Sequence, residues 1–483
     1  MLVDTNILIP LEDASPLLDG AKADFARLTA THGWKVLVHP ASFDDVRRDK
    51  NVTRRETVLS KLAKYPRLDR PADPPADFLK ALDTTPTQQD ACDNRLLYAV
   101  AANAVDLLVT EDRGIHAKAK RVGLSERVYF VTQCLALIEH LHGERKRTPP
   151  AVQLVPMHSL SLADPFFDTL RADYEGFDRW FAAKSREGRE CWMVPKRGGG
   201  IAALCIYKRE TNPTPKLKGD LLKLCTFKVA PEFSGHKLGE LMLKTAFGHC
   251  QQNAVPAVFV TAYPKYEALI GLFSEFGFQN VERLGDGELV LAKSFATAPA
   301  EGVLAEDPVA YNTLYYPHYL RNEKVKKFVV PVIPQYHTML FPEWTPQQDF
   351  FPSIAPVSNA IRKAYLCNAS TNQIEPGDLA FFYRSQDAKA VTTVAVVEKT
   401  LRSNEPQQLA AFVGKRTVYT LSEIEAMCAD RSVLAIIFRQ CQHVARPVTF
   451  KQLRSDRILK NHVETITAIS NESAQTLLSE AGL

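Results

Sequence analysis

LKLCTFKVAPEFSGHKLGELMLKTAFGHC, residues 222–250, changes character halfway along. Leu224 to Val229 reads as a strand, Ala230-Pro231 as a turn, and a helix follows from about His236. A strand, a turn and a helix start in that order bring exposed N–H groups to one point. Such a point holds a pyrophosphate well, assisted by the helix dipole. Gly235 and Gly239 let a phosphate approach the backbone, and His236 and Lys237 add positive charge. Glycines at a helix start also serve simply as turn residues, so the surroundings must decide.

Downstream, VPAVFVTAYPKYEALIGLFSEFGFQNVERL (255–284) supplies another strand, a helix, and Gly277-Phe278 leading into a last strand. Upstream lie a helical stretch, FFDTLRADYEGFDRWFAAK (166–184), and CWMVPKRGGGIAALCIYKRE (191–210). The GGG in the latter joins two strand-like runs and is expected to be a hairpin turn rather than a phosphate cradle. Over residues 152–296 this arrangement resembles the GNAT N-acetyltransferase fold, a mixed α/β fold. The resemblance implies acetyl-CoA as cofactor, held along Phe227, Lys228 and Val229 and by Ser234, Gly235, His236, Lys237, Leu238 and Gly239.

Two departures from that family stand out. Its phosphate-loop pattern (Arg or Gln, two residues, Gly, one residue, Gly or Ala) falls on Ser234, Lys237 and Gly239, and two of the three differ. Lys237 could still meet phosphate as a point charge. The tyrosine that protonates the departing thiolate aligns with Phe273, which has no proton to give. Tyr263 or Tyr266 is the candidate donor in its place, with solvent as the alternative, and Glu267 is the candidate base.

Residues 1–143 alternate short apolar strands (LVDTNILI, WKVLVHP, DLLVTED, RVYFVT) with helical stretches, the rhythm of a parallel α/β sheet. Asp4 interrupts the first strand, and DLLVTED ends in Glu111 and Asp112. Asp44 and Asp45 open the helix after the second strand. A helix expected to start at Thr85-Pro86 shows Asp90 and Asp93 on one face. Each aspartate alone suits a helix cap or a solvated surface. Together they would repel one another unless a cation intervened, and hard oxygen donors select Mg²⁺ or Mn²⁺. VDTN, DNRLLYAVA and LVTEDRG resemble the PIN-domain family of metal-dependent ribonucleases. The resemblance implies Asp4, Asp45, Asp93 and Asp112 as catalytic metal ligands, with Asp44 the alternative register for Asp45. Asn6 and Thr110 would hydrogen-bond the ligands or their water.

The third region carries the strand-like runs KKFVVPVIP, DLAFFYRS, TTVAVVEK and VLAIIF, expected as a β-barrel or curled sheet. Phe381 and Phe382 read as core, while Arg384 ends a strand. Lys451, Arg454 and Arg457 recur at helical spacing in RPVTFKQLRSDRILKNH (446–462), as phosphate-binding residues would, or on a solvated helix face. PGD before an aromatic strand, in a segment spanning 324–470, resembles the ASCH and EVE members of the PUA-like superfamily, which implies a PUA-like β-barrel as the fold class, and RNA recognition. GERKRTPPA (143–151) and FATAPAEGVLAEDP (295–308) read as linkers, giving linkers at 144–151 and 297–323 and a tail at 471–483.

The 483 residues carry a formal charge of +4, too little by itself to establish a nucleic-acid partner. No apolar run approaches the ~20 residues that span a bilayer, and MLVDTNILIP has neither the basic region nor the cleavage site of a signal peptide. Nine cysteines without a CxxC suggest reduced thiols in a cytoplasm. The expectation is a multidomain, cytoplasmic, RNA-directed effector of toxin type, combining ribonuclease and acetyltransferase activities. A small antitoxin and a homo-oligomer are its expected protein partners. The alternatives are a housekeeping N-acetyltransferase of RNA or protein amines and a non-enzymatic regulator that senses acetyl-CoA and binds RNA.

Overall fold

The structure, a computed structural model, describes residues 1–11, 20–48, 50, 52–82, 88–142, 152–196, 199–296, 303–344 and 359–483. The expected linker at 143–151 and the expected helix start at Thr85-Pro86 lie outside these residues. The chain forms two compact units. The first comprises Met1–Glu144, Ser403–Lys415 and Tyr419–Ser432, and the second Arg145–Arg402, Arg416–Val418 and Val433–Leu483.

In the first unit, β1 (Leu2–Val3), β2 (Leu108–Val109) and β3 (Val128–Tyr129) form a parallel sheet in that order. Leu37 adds to Leu2, and Arg67 to Val38, as parallel bridges. The parallel α/β reading therefore holds, with strands shorter than the apolar runs. LVDTNILI is not one strand: after Val3 the chain turns into a helix over Thr5–Leu11. Asp4 stands at that helix's start: its carbonyl accepts the Ile7 N–H at 3.1 Å, and its Oδ1 accepts the Thr5 N–H at 2.6 Å. Two helices distant in sequence, Pro406–Val413 and Leu421–Cys428, complete this unit.

The second unit holds two sheets. The first contains β4 (Gln153–Pro156), β5 (Glu190–Pro195), β6 (Ile201–Thr211), β7 (Asp220–Val229), β8 (Ala257–Ala262), β9 (Gln279–Arg283) and β10 (Leu289–Ser294). Their order is β4-β5-β6-β7-β8-β10-β9, and only β7 and β8 run parallel. The GGG segment joins antiparallel β5 and β6, although Gly198 itself lies outside the described residues. The helix Leu238–Gln252 buries Leu238, Met242, Leu243, Ala246 and Phe247 against this sheet.

The second sheet orders β12 (Arg362–Cys367), β15 (Val433–Thr449), β14 (Ala390–Ser403), β13 (Leu379–Arg384), β11 (Lys327–Val332) and β16 (Thr467–Ile469). The expected strands are all present, and Phe381 and Phe382 are fully buried. The expected barrel is not: among the described residues the sheet is open, with β12 and β16 as its edges. The two sheets of this unit share a core, since Tyr316 and Ile361 pack with Phe247, Phe273 and Phe278. At Gly277 (φ +84°) a Cβ would stand 2.4 Å from the Thr313 carbonyl oxygen, so this approach requires glycine.

Candidate active site

Strands β7 and β8 pair only through Leu222–Leu224 and Val258–Val260. Beyond these residues β7 continues to Val229 and β8 to Ala262 with no further pairs between them, so the sheet opens as a wedge. On its other side β7 stays paired with β6 as far as Val229. The facing edge of Phe227–Val229 thus offers backbone groups to an amide-bearing ligand, as an open strand edge does.

The wedge leads to the start of helix Leu238–Gln252, whose first N–H groups have no acceptor within the helix. Gly235 (φ +84°) and Lys237 (φ +60°) are both left-handed. Lysine there costs about 1 kcal/mol that glycine would not. Lys237 Nζ does not serve as a free point charge for phosphate: it pairs with Glu240 Oε1 at 2.7 Å. Gly239 has a packing role, because a Cβ there would come within 2.8 Å of Leu272 Cδ2. Ser234 follows the short 3₁₀ turn Pro231–Phe233, and the His236 carbonyl accepts from Asn359 Nδ2 at 2.9 Å. The split strands, left-handed glycine and unfilled helix start fit the pyrophosphate and pantetheine portions of acetyl-CoA.

Tyr263 and Tyr266 follow β8, and Tyr266 meets Asp173, the last residue of the helix Asp168–Asp173, and Tyr174 just after it. Burial and the Asp173 carboxylate push the Tyr266 hydroxyl up to about 12, so it keeps its proton at neutral pH. The Tyr174 and Tyr263 rings lie 6.1 Å apart. Lys265 Nζ bonds Asp173 at 2.7 Å, and Lys228 Nζ bonds Thr169 Oγ1 at 2.6 Å and the Phe166 carbonyl. Phe273 is fully buried against Phe227 and Phe278, as a core residue. Glu267 is exposed at the first turn of helix Glu267–Glu275.

In the first unit Asp4, Asp93 and Asp112 share a neighbourhood. Thr110 Oγ1 donates to Asp4 Oδ2 at 2.7 Å and accepts from the Asp112 N–H at 3.0 Å, while Asn6 Nδ2 donates to Thr110 Oγ1 at 3.2 Å. Burial raises Asp4, and Asp112 adds to the shift. Burial also pushes Asp93 up to about 6 against the pull of Lys118, with Asp112 and Asp4 adding to it. Yet the carboxylates are engaged by the protein itself. Asp112 caps the helix Arg113–Arg121 through Gly114 and Ile115 N–H, and Lys118 Nζ bridges Asp90 (2.7 Å) and Asp93 (3.3 Å). Asp44 and Asp45 stand beside Arg47 (2.7 Å) and Arg48 (3.8 Å). Among the described residues, no three His, Cys, Asp or Glu side chains stand close enough to hold a metal ion. The expected Mg²⁺ or Mn²⁺ does not fit this arrangement.

Of the expected phosphate contacts, Arg384 is held by Asp387 (2.6 Å) and Thr338 (3.0 Å) and lies over Trp344. Lys451 and Arg454 are exposed on the short helix Phe450–Ser455, and Arg457 is exposed just beyond it. Sequence reasoning missed a polar chain, buried at His337 and partly buried at His443, in the same domain. His337 Nε2 meets Thr392 Oγ1 at 2.7 Å, Thr393 Oγ1 meets His443 Nδ1 at 2.9 Å, and His443 Nε2 meets Gln440 at 2.9 Å. Its members come from the helix Pro334–Leu340 (His337), β14 (Thr392, Thr393) and β15 (Gln440, His443), which only the fold brings together, so no local spacing announces it.

With this geometry in hand, known proteins show similarity in parts. Residues 155–278 match the acetyltransferase (GNAT) family and residues 360–480 match the EVE domain. No curated protein matches the chain. The crystal structure of ASCH from Zymomonas mobilis is similar at 17% identity, over 32% of this chain and 94% of its own, with a TM-score of 0.26. An IAA acetyltransferase from Bacillus cereus is similar at 16% identity over 30% of this chain and 98% of its own (TM-score 0.23). A chain of the NatC complex bound to Gag peptide and CoA shows 16% identity over 30% and 98% (TM-score 0.22). The protein is therefore a multidomain α/β chain with a GNAT acetyltransferase domain and a C-terminal EVE-type domain. All nine cysteines are free thiols. Among the described residues no helix is long and apolar enough to cross a membrane.

Proposed function

We propose that the protein is an acetyl-CoA-dependent N-acetyltransferase directed to its amine acceptor by RNA bound at the EVE-type domain. The wedge between β7 and β8, ending at the start of helix Leu238–Gln252, carries this reading. Bound acetyl-CoA would supply an activated thioester. The chain's own residues would do the rest. The open edge of Phe227–Val229 orients the ligand's amides, and the N–H groups around Leu238 and Gly239 meet its phosphates. Tyr266 holds a proton at its hydroxyl for the leaving sulfur, a role Phe273 cannot take. Lys451, Arg454 and Arg457 present exposed positive charge for an RNA backbone. The division into domains at 1–143, 152–296 and 324–470 is part of this proposal. Transfer of labelled acetyl groups to RNA or to RNA-bound protein tests it, and absence of transfer to either class by the full chain would overturn it.

A second reading keeps the first unit as a toxin-type ribonuclease. Its support is the shared neighbourhood of Asp4, Asp93 and Asp112. Since Lys118 and a helix cap engage these carboxylates, no step is routed through a metal. RNA cleavage by the full chain that is lost in Asp93→Asn would establish it, and cleavage unaffected by that substitution would remove it. Nothing among the described residues speaks for a small antitoxin or a homo-oligomer.

A further inference from the structure

We infer that the EVE-type domain completes the acetyl-CoA site, with Glu240 as a positioning residue that ties the phosphate loop to β12. The inference rests on acetyl-CoA binding at the wedge and adds a part from outside the acetyltransferase domain.

Glu240 lies in the first turn of helix Leu238–Gln252, yet it is only 2% exposed. Both carboxylate oxygens are in use. Oε1 pairs with Lys237 Nζ at 2.7 Å, and Oε2 accepts the N–H groups of Ile361 at 3.0 Å and Arg362 at 3.3 Å, where β12 begins. Burial alone would raise this carboxyl, but Lys237, Arg416 and Arg362 overcome it and hold it down at about 2. One residue upstream of the left-handed Lys237, the His236 carbonyl accepts from Asn359 Nδ2 at 2.9 Å. The loop that would face pyrophosphate is thus held at two points by residues next to β12.

The other wall of the wedge is held from the same sheet. Arg439 Nη1 on β15 donates to the Glu275 carbonyl at 3.0 Å, closing the end of helix Glu267–Glu275. Leu272 of that helix is the residue packed over Gly239. A lysine in a conformation that costs energy, bonded inward rather than toward a phosphate, makes sense if its task is to fix the loop's shape. Removing Glu240 leaves Lys237 with that strain and without its anchor, so the loop no longer presents its N–H groups in one arrangement.

The test uses the full chain and acetyl-CoA itself. Binding is measured by calorimetry, and acetyl transfer is resolved into KM and kcat, for wild type, Glu240→Gln and Asn359→Leu. The expected result is a dissociation constant and KM for acetyl-CoA raised at least about tenfold in Glu240→Gln. A smaller rise is expected in Asn359→Leu, and kcat should change little in either. A purely structural role would lower the melting temperature and leave KM unchanged, which would overturn the inference. If Glu240→Gln does not fold, Asn359→Leu decides alone, and wild-type affinity in it overturns the inference. Wild-type protein that binds no acetyl-CoA at all would instead remove the reading of the wedge, and the inference with it.

Discussion

Arg362 and Arg439 stand directly opposite each other on β12 and β15, and one carboxylate, Glu398 of β14, serves both. Like charges facing across a sheet repel. Here Glu398 Oε2 takes Arg362 Nε at 2.7 Å and Arg439 Nε at 3.3 Å, while Oε1 takes the Arg362 Nη2 group. Both guanidinium groups are buried, which frees Arg439 to reach Glu275 only because its charge is already met.

Glu398→Gln keeps the size and removes the shared anion. Two buried cations would then oppose each other with no nearby compensation of equal strength. The expected cost is about 3 kcal/mol in urea unfolding of the full chain. A loss below about 1 kcal/mol would show that Glu275 alone neutralises the pair.

Lys293 should give the chain a pH-dependent stability. Its side chain is 1% exposed, and Nζ donates to the Leu314 carbonyl at 2.8 Å. Phe247 and Phe295 flank it, and Arg439 is the charged group felt there. Burial first and Arg439 second lower it from 10.5 to about 7. The unfolded chain therefore holds more protons between those values, so stability rises with pH across that window and falls as pH drops toward 7. Lys293→Met should flatten this slope by about 3 kcal/mol between pH 7 and pH 10. Equal slopes in the two proteins would place the ammonium in water.

Tyr266→Phe should lower kcat by about a hundredfold with little change in the KM for acetyl-CoA. Tyr263→Phe separates the two candidates, because only one hydroxyl can lie nearest the leaving sulfur. Phe273→Tyr should not rescue either. Phe273 is enclosed by Phe227 and Phe278, so a new hydroxyl would enter apolar surroundings unpaired and destabilise the fold. Rescue of kcat by Phe273→Tyr would mean that this ring reaches the wedge.

RNA affinity should depend on salt through the exposed cations. Replacing Lys451, Arg454 and Arg457 with alanine should reduce the slope of log K against log salt by about 2 for single-stranded RNA. Adding Arg384→Ala should change the slope little, because Asp387 and Thr338 already hold that guanidinium. An unchanged slope in the triple variant would place the RNA elsewhere on the protein.

The sequence by itself determined whatever depends on neighbours in the chain. Strand, turn and helix over Leu224–Gln252 are legible because β-rich and helical stretches meet at Ala230-Pro231. The strands β11, β13, β14 and β15 are legible because each is an apolar run long enough to bury. Asp4 and Thr110 meet as expected because parallel strands place their ends side by side. Tertiary structure decided what the charges do. Lys118 reaches Asp90 and Asp93 across 28 and 25 residues, and Glu240 reaches Ile361 across 121. The helices within 403–432 join the first unit rather than the sheet that flanks them in sequence. A carboxylate has the same residue type whether it holds a metal, caps a helix, pairs with lysine or clasps another domain. Its task is fixed by whichever donor the fold brings within about 3 Å, and local spacing carries no record of that donor.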